Sequence, residues 1–386
     1  MELESQAPLL THCSETLSGV STIRAFGWQT KTHEKCVQLL DNSQRPFYLI
    51  FCIQRWLGLV LDLITAAIAT IVVAMAMTLR DTASAGSIGV SLLTILSFNA
   101  QLSWLITSWT ALETCIGAVA RCMNFEKSTF PEDLPGEDSH PPPEWPQTGS
   151  LHMRDISASY TNGSEDVLKR VTLSIAAGKK VGICGRSGSG KSSLLLTILR
   201  LLDNNDGKIE LDGLDLAQIP RQKIRESLTS LPQEVITVPG SLRDNMDPLS
   251  LRSDAELESA LRKVGLLDIV NGSGGVDTDM KDFGLSQGQM QLFAVARALL
   301  RKTKLLLVDE MTSSFDAATE KEMMALIAHE FAGSTVLAIA HRLHTIRNFD
   351  EIVVMDKGVV VETGSPSNLL TKEGGYFKDL WQRAGH

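Results

Sequence analysis

The residues best suited to chemistry lie in one short run, GRSGSGKSS at residues 185–193. Gly185, Gly190, Lys191 and Ser192 satisfy the spacing G-x-x-x-x-G-K-[ST]. Gly185, Gly188 and Gly190 allow positive φ, so successive N–H groups through Ser187, Ser189 and Ser193 can converge on an anion. An apolar run precedes the loop and another follows it, which predicts strand, loop and helix, with about half a positive charge at the helix N-terminus. Lys191 can reach β- and γ-phosphates, and the Ser192 hydroxyl is placed to ligate Mg²⁺. A second apolar run, residues 304–308, ends in Asp309 and Glu310. Asp309 at a strand's carboxyl end can hold Mg²⁺, and Glu310 beside it can orient and deprotonate a water. An Asp-Glu pair is weak by itself and strong downstream of such a loop. The chemistry these residues suit is Mg²⁺-dependent binding and hydrolysis of a nucleoside triphosphate.

These groups need a sheet to hold them. From residue 151 to about 361 short apolar strands alternate with helical patterns, which predicts an α/β domain at residues 151–386. With 386 residues the chain has room for two or three domains at about 150 each. The net charge of −9 and the lack of a cationic run offer no basic face, so no nucleic-acid partner is expected. Six cysteines, Cys13, Cys36, Cys52, Cys115, Cys122 and Cys184, form no C-x-x-C pair, so neither zinc nor a disulfide framework is indicated and a reducing cytosol suits them. Residues 1–12 are polar and acidic, unlike a signal peptide, and the start reads as internal to something longer.

The first part of the chain has a different character. Residues 14–40 are rich in helix formers but interrupted by Gly19 and Gly27, which predicts helix, break, helix. Residues 56–79 have the length needed to cross a bilayer, flawed only by Asp62, which reads as a hydrated carboxylate in preference to an ion-coupling group. After a polar loop at residues 80–87, a second apolar stretch covers residues 88–120, with its span at 88–112. It carries Ser91, Thr94, Ser97, Asn99, Gln101, Ser103, Thr107 and Ser108, a pattern suited to lining a wet cavity. Cations cluster before the first span and after the second, so both ends are expected in the cytosol. Residues 1–127 therefore read as a partial membrane domain. Residues 128–150, STFPEDLPGEDSHPPPEWPQTGS, break every periodicity and read as a Pro-rich acidic linker acting as a stiff spacer.

Between the two phosphate-site elements stands LSQGQ at residues 285–289, with Ser286, Gly288 and Gln289. It resembles the signature motif of ABC-transporter ATPases. Around it, Gln233 in SLPQE resembles the Q-loop, Asp316 in SFD the D-loop, His341 in IAHRLHTI the switch histidine, and Tyr160 in ISASYTNG the aromatic that stacks on adenine. Singly, Tyr160 could be a core aromatic and His341 with His344 a surface pair; six elements in order read as one site. The resemblance implies ATP with its adenine on Tyr160, phosphates on residues 188–193, and Mg²⁺ near Ser192, Gln233 and Asp309. It implies catalytic roles for Glu310, His341 and Lys191. In that family two such domains close head to tail, so Ser286, Gly288, Gln289 and Asp316 would serve a site shared with a partner domain.

More narrowly, nearly all of the chain resembles the carboxyl-terminal part of a C-subfamily ABC exporter, the multidrug-resistance-associated type. The matching segments are SETLSGVSTIRAF at 14–26, RDT at 80–82, PPPEWP at 141–146, GSLRDNMDP at 240–248 and Gln287. The implied fold class is an α/β P-loop ATPase domain of ABC type preceded by an α-helical membrane segment from an ABC exporter. The implied partners are the missing transmembrane helices and first nucleotide-binding domain, a lipid bilayer and a small-molecule substrate, with this ATPase domain in the cytosol. Residues 14–26 would be a coupling helix, with Val20, Ile23 and Phe26 partly exposed. Met290, Met311 and Thr107 depart from the family pattern. Thr107, three residues after Trp104, stands where an arginine helps bind anionic conjugates. A regulatory or channel-like member gated by nucleotide, or a truncated product without transport, remains the alternative to an exporter.

Overall fold

The structure is a computed structural model that describes residues 2–78, 85–129, 131–161, 164–309, 317–340 and 342–383. The chain divides into two compact units, Met1–Phe130 and Pro131–His386.

The first unit is helical throughout: α1 (Glu2–Ser18), α2 (Val20–Ala25), α3 (Gln29–Thr78) and α4 (Ala85–Ser128). The polar start is thus already helix, one element more than the composition indicates. The breaks fall where the glycines predict them. Gly19 stands between α1 and α2, and Gly27 takes φ +68 between α2 and α3. α1 folds back on the polar first part of α3, where His12 is buried with its Nε2 at 3.2 Å from Thr32 O. The apolar parts of α3 and α4 are long enough to cross a bilayer. Asp62 is exposed, as a hydrated carboxylate would be, and in addition Asn99 Nδ2 of α4 donates to its Oδ1 at 2.8 Å. An interhelical amide–carboxylate bond of this kind satisfies polar groups that hydrocarbon cannot. Val20 and Phe26 are exposed and Ile23 is half-buried, with the Phe26 ring stacked on Trp28 at 5.0 Å between centroids. The expected loop at residues 80–87 lies mostly outside the described residues.

In the second unit the elements run β1 (Leu151–Ala158), β2 (Leu168–Ile175), β3 (Lys180–Gly185), α5 (Lys191–Ile198), β4 (Asn204–Leu211), β5 (Leu214–Asp215), α6 (Arg221–Ser227) and β6 (Thr229–Leu231). Then follow α7 (Leu242–Met246), α8 (Asp254–Lys263), α9 (Leu267–Gly272), α10 (Gln287–Leu300), β7 (Leu305–Asp309), α11 (Ala317–Glu330), β8 (Thr335–Ile339), β9 (Glu351–Asp356), β10 (Val359–Gly364), α12 (Pro366–Thr371) and α13 (Tyr376–Arg383). A four-stranded antiparallel sheet has the order β2-β1-β4-β5, and a six-stranded sheet the order β10-β9-β3-β8-β7-β6, parallel except for β10.

The parallel strands read as continuous apolar runs because both of their faces are covered. Leu305, Leu307, Leu337 and Ile339 point into a core shared with α5 and the antiparallel sheet. Their neighbours Leu306, Val308, Val336 and Ala338 point into a second core with α8, α10 and α11. Strand pleating alone assigns alternate residues to the two cores.

The Pro-rich acidic segment is not a free spacer. Residues 131–150 cluster with the second unit. The Trp145 indole is buried and donates to Leu211 O at 3.1 Å, and Ser139 N–H donates to Gln218 O at 2.8 Å. The buried Glu137 carboxylate accepts from Arg200 and Arg221. Composition marked this run as irregular, which it is; irregular backbone packs where its polar groups find partners. At its end, Asp212 accepts from the N–H groups of Thr148, Gly149 and Ser150 at 2.8, 3.2 and 2.8 Å.

Burial works against the charge of Asp212, but the bonds from Thr148, Gly149 and Ser150 outweigh it and hold its carboxyl at about 2. The folded value lies below the ordinary Asp value of about 3.9, so its stabilisation is complete above about pH 4 and is lost as pH falls through about 2. Asp212→Asn should lower the melting temperature at neutral pH and flatten the loss of stability between those limits. Thermal unfolding across this range checks it; an unchanged acid slope would refute the assignment.

Candidate functional site

Strand register builds the site. Ile183 of β3 and Asp309 of β7 both pair with Ile339 of β8, the strand between them. The carboxyl ends of β3 and β7 therefore stand level, with residues 185–190 turning across to α5. Ser192 Oγ, in the first turn of α5, donates to Asp309 Oδ1 at 3.3 Å across 117 residues of sequence. The structure thus brings together Ser192 and Asp309, two of the three residues expected at Mg²⁺; among the described residues no hydrogen bond joins Gln233 to them.

The loop has the shape of an anion cradle. Gly185, Gly188 and Gly190 take φ of +154, +77 and +95. A Cβ at Gly185 would lie 2.2 Å from Met355 O, and one at Gly190 3.1 Å from Val167 O, so main chain from β9 and from the start of β2 closes on the loop. Gly190 caps α5 without a side-chain hydrogen bond, leaving the first-turn N–H groups to the loop's ligand. Ser189 Oγ is buried and has no hydrogen-bond partner among the described residues. Lys191 Nζ donates to Gly185 O and Arg186 O, each at 3.0 Å, which keeps its ammonium over the loop.

These features fit a nucleotide phosphate chain. The N–H groups of residues 187–193 and Lys191 would hold the phosphates, and Ser192 with Asp309 would hold Mg²⁺. Such an ion commonly takes one or two protein oxygens and completes its shell with water and phosphate. Among the described residues no group of three His, Cys, Asp or Glu could hold a metal by itself. Tyr160 is 61% exposed, and its hydroxyl lies 3.0 Å from Ser193 Oγ. That tether fixes the ring beside the loop and leaves its face open for a base. Gln233 is exposed just after β6.

The signature residues lie elsewhere in the domain. Ser286 caps α10: its Oγ accepts from Gln289 N–H at 3.3 Å, and Gln289 Oε1 accepts from Ser286 N–H at 2.9 Å. Gly288 sits in the first turn. α10 packs in the core on the sheet face opposite α5, so the structure does not gather Ser286, Gly288 and Gln289 with residues 185–193. Glu310, Asp316 and His341 lie outside the described residues.

Sequence reading missed Glu320. This carboxylate of α11 is buried and accepts from Arg342 Nη1 at 2.7 Å, with His344 Nε2 at 3.6 Å. It anchors the described segment that begins at Arg342. Nothing in the local pattern of α11 marks this residue apart from the other charges of the helix.

Glycine substitutions separate the loop's two demands. Gly188 has open space where a Cβ would stand, so Gly188→Ala should cost about 1–2 kcal/mol for its positive φ alone. Gly185→Ala adds a clash with main chain and should cost about 3 kcal/mol or more. Unfolding of both variants in denaturant gives the ranking, and the reverse order would contradict the cradle.

Comparison with known proteins agrees with this geometry. Residues 168–313 match the family model of the ABC transporter, and residues 1–106 that of the ABC transporter transmembrane region. The ABC multidrug transporter B of Aspergillus fumigatus is 46% identical over 381 residues, covering 99% of this chain and 26% of that protein. The ABC transporter gloK of Glarea lozoyensis is 44% identical over 384 residues, covering 100% of this chain and 29% of that protein. The chain thus spans about a quarter of the length of these curated relatives. A solved bacterial Atm1-family ABC exporter with ATP bound superposes with a TM-score of 0.87 at 23% identity, over all of this chain and 68% of that one, a likeness of fold. The chain therefore consists of transmembrane helices of the ABC transporter family followed by that family's P-loop ATPase domain.

Proposed function

We propose that this chain is the ATP-binding and ATP-hydrolysing part of an ATP-driven membrane exporter of amphipathic or conjugated organic compounds. The contact between Ser192 and Asp309 at the mouth of the glycine cradle carries this reading, because it sets a cation site beside an anion site. Lys191 and the loop N–H groups neutralise and orient the phosphates. Tyr160 supplies a face for adenine, and Gln233 an amide for Mg²⁺ and water. Glu310, directly after Asp309 in sequence, accepts a proton from the attacking water, and His341 contacts the terminal phosphate. Bound MgATP supplies the phosphoryl group whose transfer to water drives the cycle.

The remaining parts of such an exporter are proposals of the same kind. Resemblance in residues 14–26, 141–146 and 240–248 supports the second half of a C-subfamily transporter. Its partners would be the other transmembrane helices and a first nucleotide-binding domain, whose closure would bring Ser286, Gly288, Gln289 and Asp316 to a shared nucleotide. The outward apolar side chains of α3 and α4, among them Trp56, Leu63, Leu93 and Trp104, support a setting of lipid and further helices. Thr107 in place of an arginine argues for a substrate preference less anionic than the subfamily's.

Glu310→Gln should keep nucleotide binding and lower hydrolysis by about a hundredfold or more, measured as phosphate release with the matching partner domain present. Hydrolysis at the parental rate would remove Glu310 from its role. Impermeant labelling of single cysteines should reach Thr82→Cys from outside intact cells, and Glu4→Cys and Glu144→Cys only after permeabilisation. Labelling of all three only after permeabilisation would overturn the two-span topology.

A further inference from the structure

The carbonyl end of α5 is capped by arginines that the segment before β1 holds in place. α5 begins at the phosphate loop, and just beyond its last turn Arg200 takes φ +53. Carbonyls at such an end lack helical donors, and cationic donors suit them because the helix dipole is negative there. Arg225 of α6 supplies two: Nε donates to Leu199 O at 3.0 Å and Nη2 to Arg200 O at 2.8 Å. Arg221 Nη1 adds a longer bond to Arg200 O at 3.4 Å.

Neither guanidinium is fixed by α6 alone. Glu132 accepts from Arg225 Nη1 and Nη2 at 2.9 and 2.5 Å, a bidentate pair that fixes the plane of the fork. Glu137 accepts from Arg221 Nε and Arg200 Nη2, both at 3.0 Å. The side chains of Glu137, Arg200 and Arg221 are 3, 6 and 5% exposed. Asp203, half-exposed, also lies within reach of both arginines. Burial works against the charge of Glu137, yet the bonds from Arg200, the Leu134 main chain and Arg221 hold its carboxyl below the ordinary value. Only a short run of chain separates Ser128, the end of α4, from Glu132.

We propose that residues 131–146 form a strap that positions the nucleotide site: Glu132 and Glu137 aim Arg225 and Arg221 at the carbonyl end of α5, the helix whose other end closes the phosphate cradle. Movement of the strap withdraws the cap, frays the last turn of α5 and loosens the loop. A membrane helix would thereby act on the cradle through its own chain, a route additional to any docking between domains. This role rests on the nucleotide-binding reading above.

The test uses the full chain in detergent, with two readouts: fluorescence titration of a trinitrophenyl derivative of ATP, and amide hydrogen exchange of residues 195–202 without nucleotide. Arg225→Gln should weaken binding about three- to tenfold and speed exchange there. Glu137→Gln leaves buried cations uncompensated and endangers folding, so the more exposed Glu132–Arg225 pair decides the matter. The exchanged pair Glu132→Arg with Arg225→Glu restores an ion pair between strap and α6, read as parental protection of residues 131–146 from limited proteolysis. A carboxylate at position 225 cannot donate to Leu199 O or Arg200 O, so weak binding and fast exchange should persist. Parental binding and exchange in the exchanged pair, or in Arg225→Gln, would overturn the proposal. Lys191→Ala separates the two readings: parental binding in that variant would refute the nucleotide site, while exchange in α5 still decides the strap.

Discussion

The shared register of β3, β8 and β7 is the constraint on which the site depends. Ile339 pairs with Ile183 on one side and Asp309 on the other, so two strands distant in sequence end at one level. A parallel pair one residue out of step would turn Asp309 toward the opposite face. That register is fixed in turn by two cores, because alternate residues of the central strands must enter different apolar layers. The phosphate cradle is therefore a product of sheet packing as much as of its own glycines. The glycines permit the loop's conformation; Met355 O, close against Gly185, sets how tightly the main chain is held.

Charge is handled oppositely in the two units. In the ATPase unit, buried carboxylates are paired with cations: Glu137 with Arg200 and Arg221, Glu320 with Arg342, Glu362 with Lys372. Removing one partner of such a pair costs more than the pair contributes, so these groups fix conformation more than they add stability. In the helical unit, Asn99 gives Asp62 a neutral amide partner, while most large apolar side chains point outward. That distribution suits a surface met by hydrocarbon and other helices.

The strap shows how composition misleads. Proline and acidic residues remove periodicity, and loss of periodicity reads as a spacer. The same acidic residues find arginines at positions 200, 221 and 225, and Trp145 finds Leu211 O. A carboxylate on a linker looks alike in sequence whether it faces water or a buried guanidinium. The part of α1 before residue 14 escapes a sequence reading for a related reason: its apolar residues are sparse, and its partner is α3.

The sequence by itself determined the local parts. Spacing of Gly185, Gly190, Lys191 and Ser192 between an apolar strand and a helix specified the cradle, and the apolar run before Asp309 specified a buried strand, because loop geometry and strand burial are imposed by neighbouring residues. The two apolar stretches mark the parts of α3 and α4 long enough to cross a bilayer, although both helices run well beyond that length. Only tertiary structure decided that Ser192 meets Asp309, that Tyr160 is tethered to Ser193, that Glu320 holds Arg342 and that the strap grips α6. Each of these contacts joins residues far apart in the chain, and their geometry follows from which strands pair and which faces pack, which no local pattern encodes.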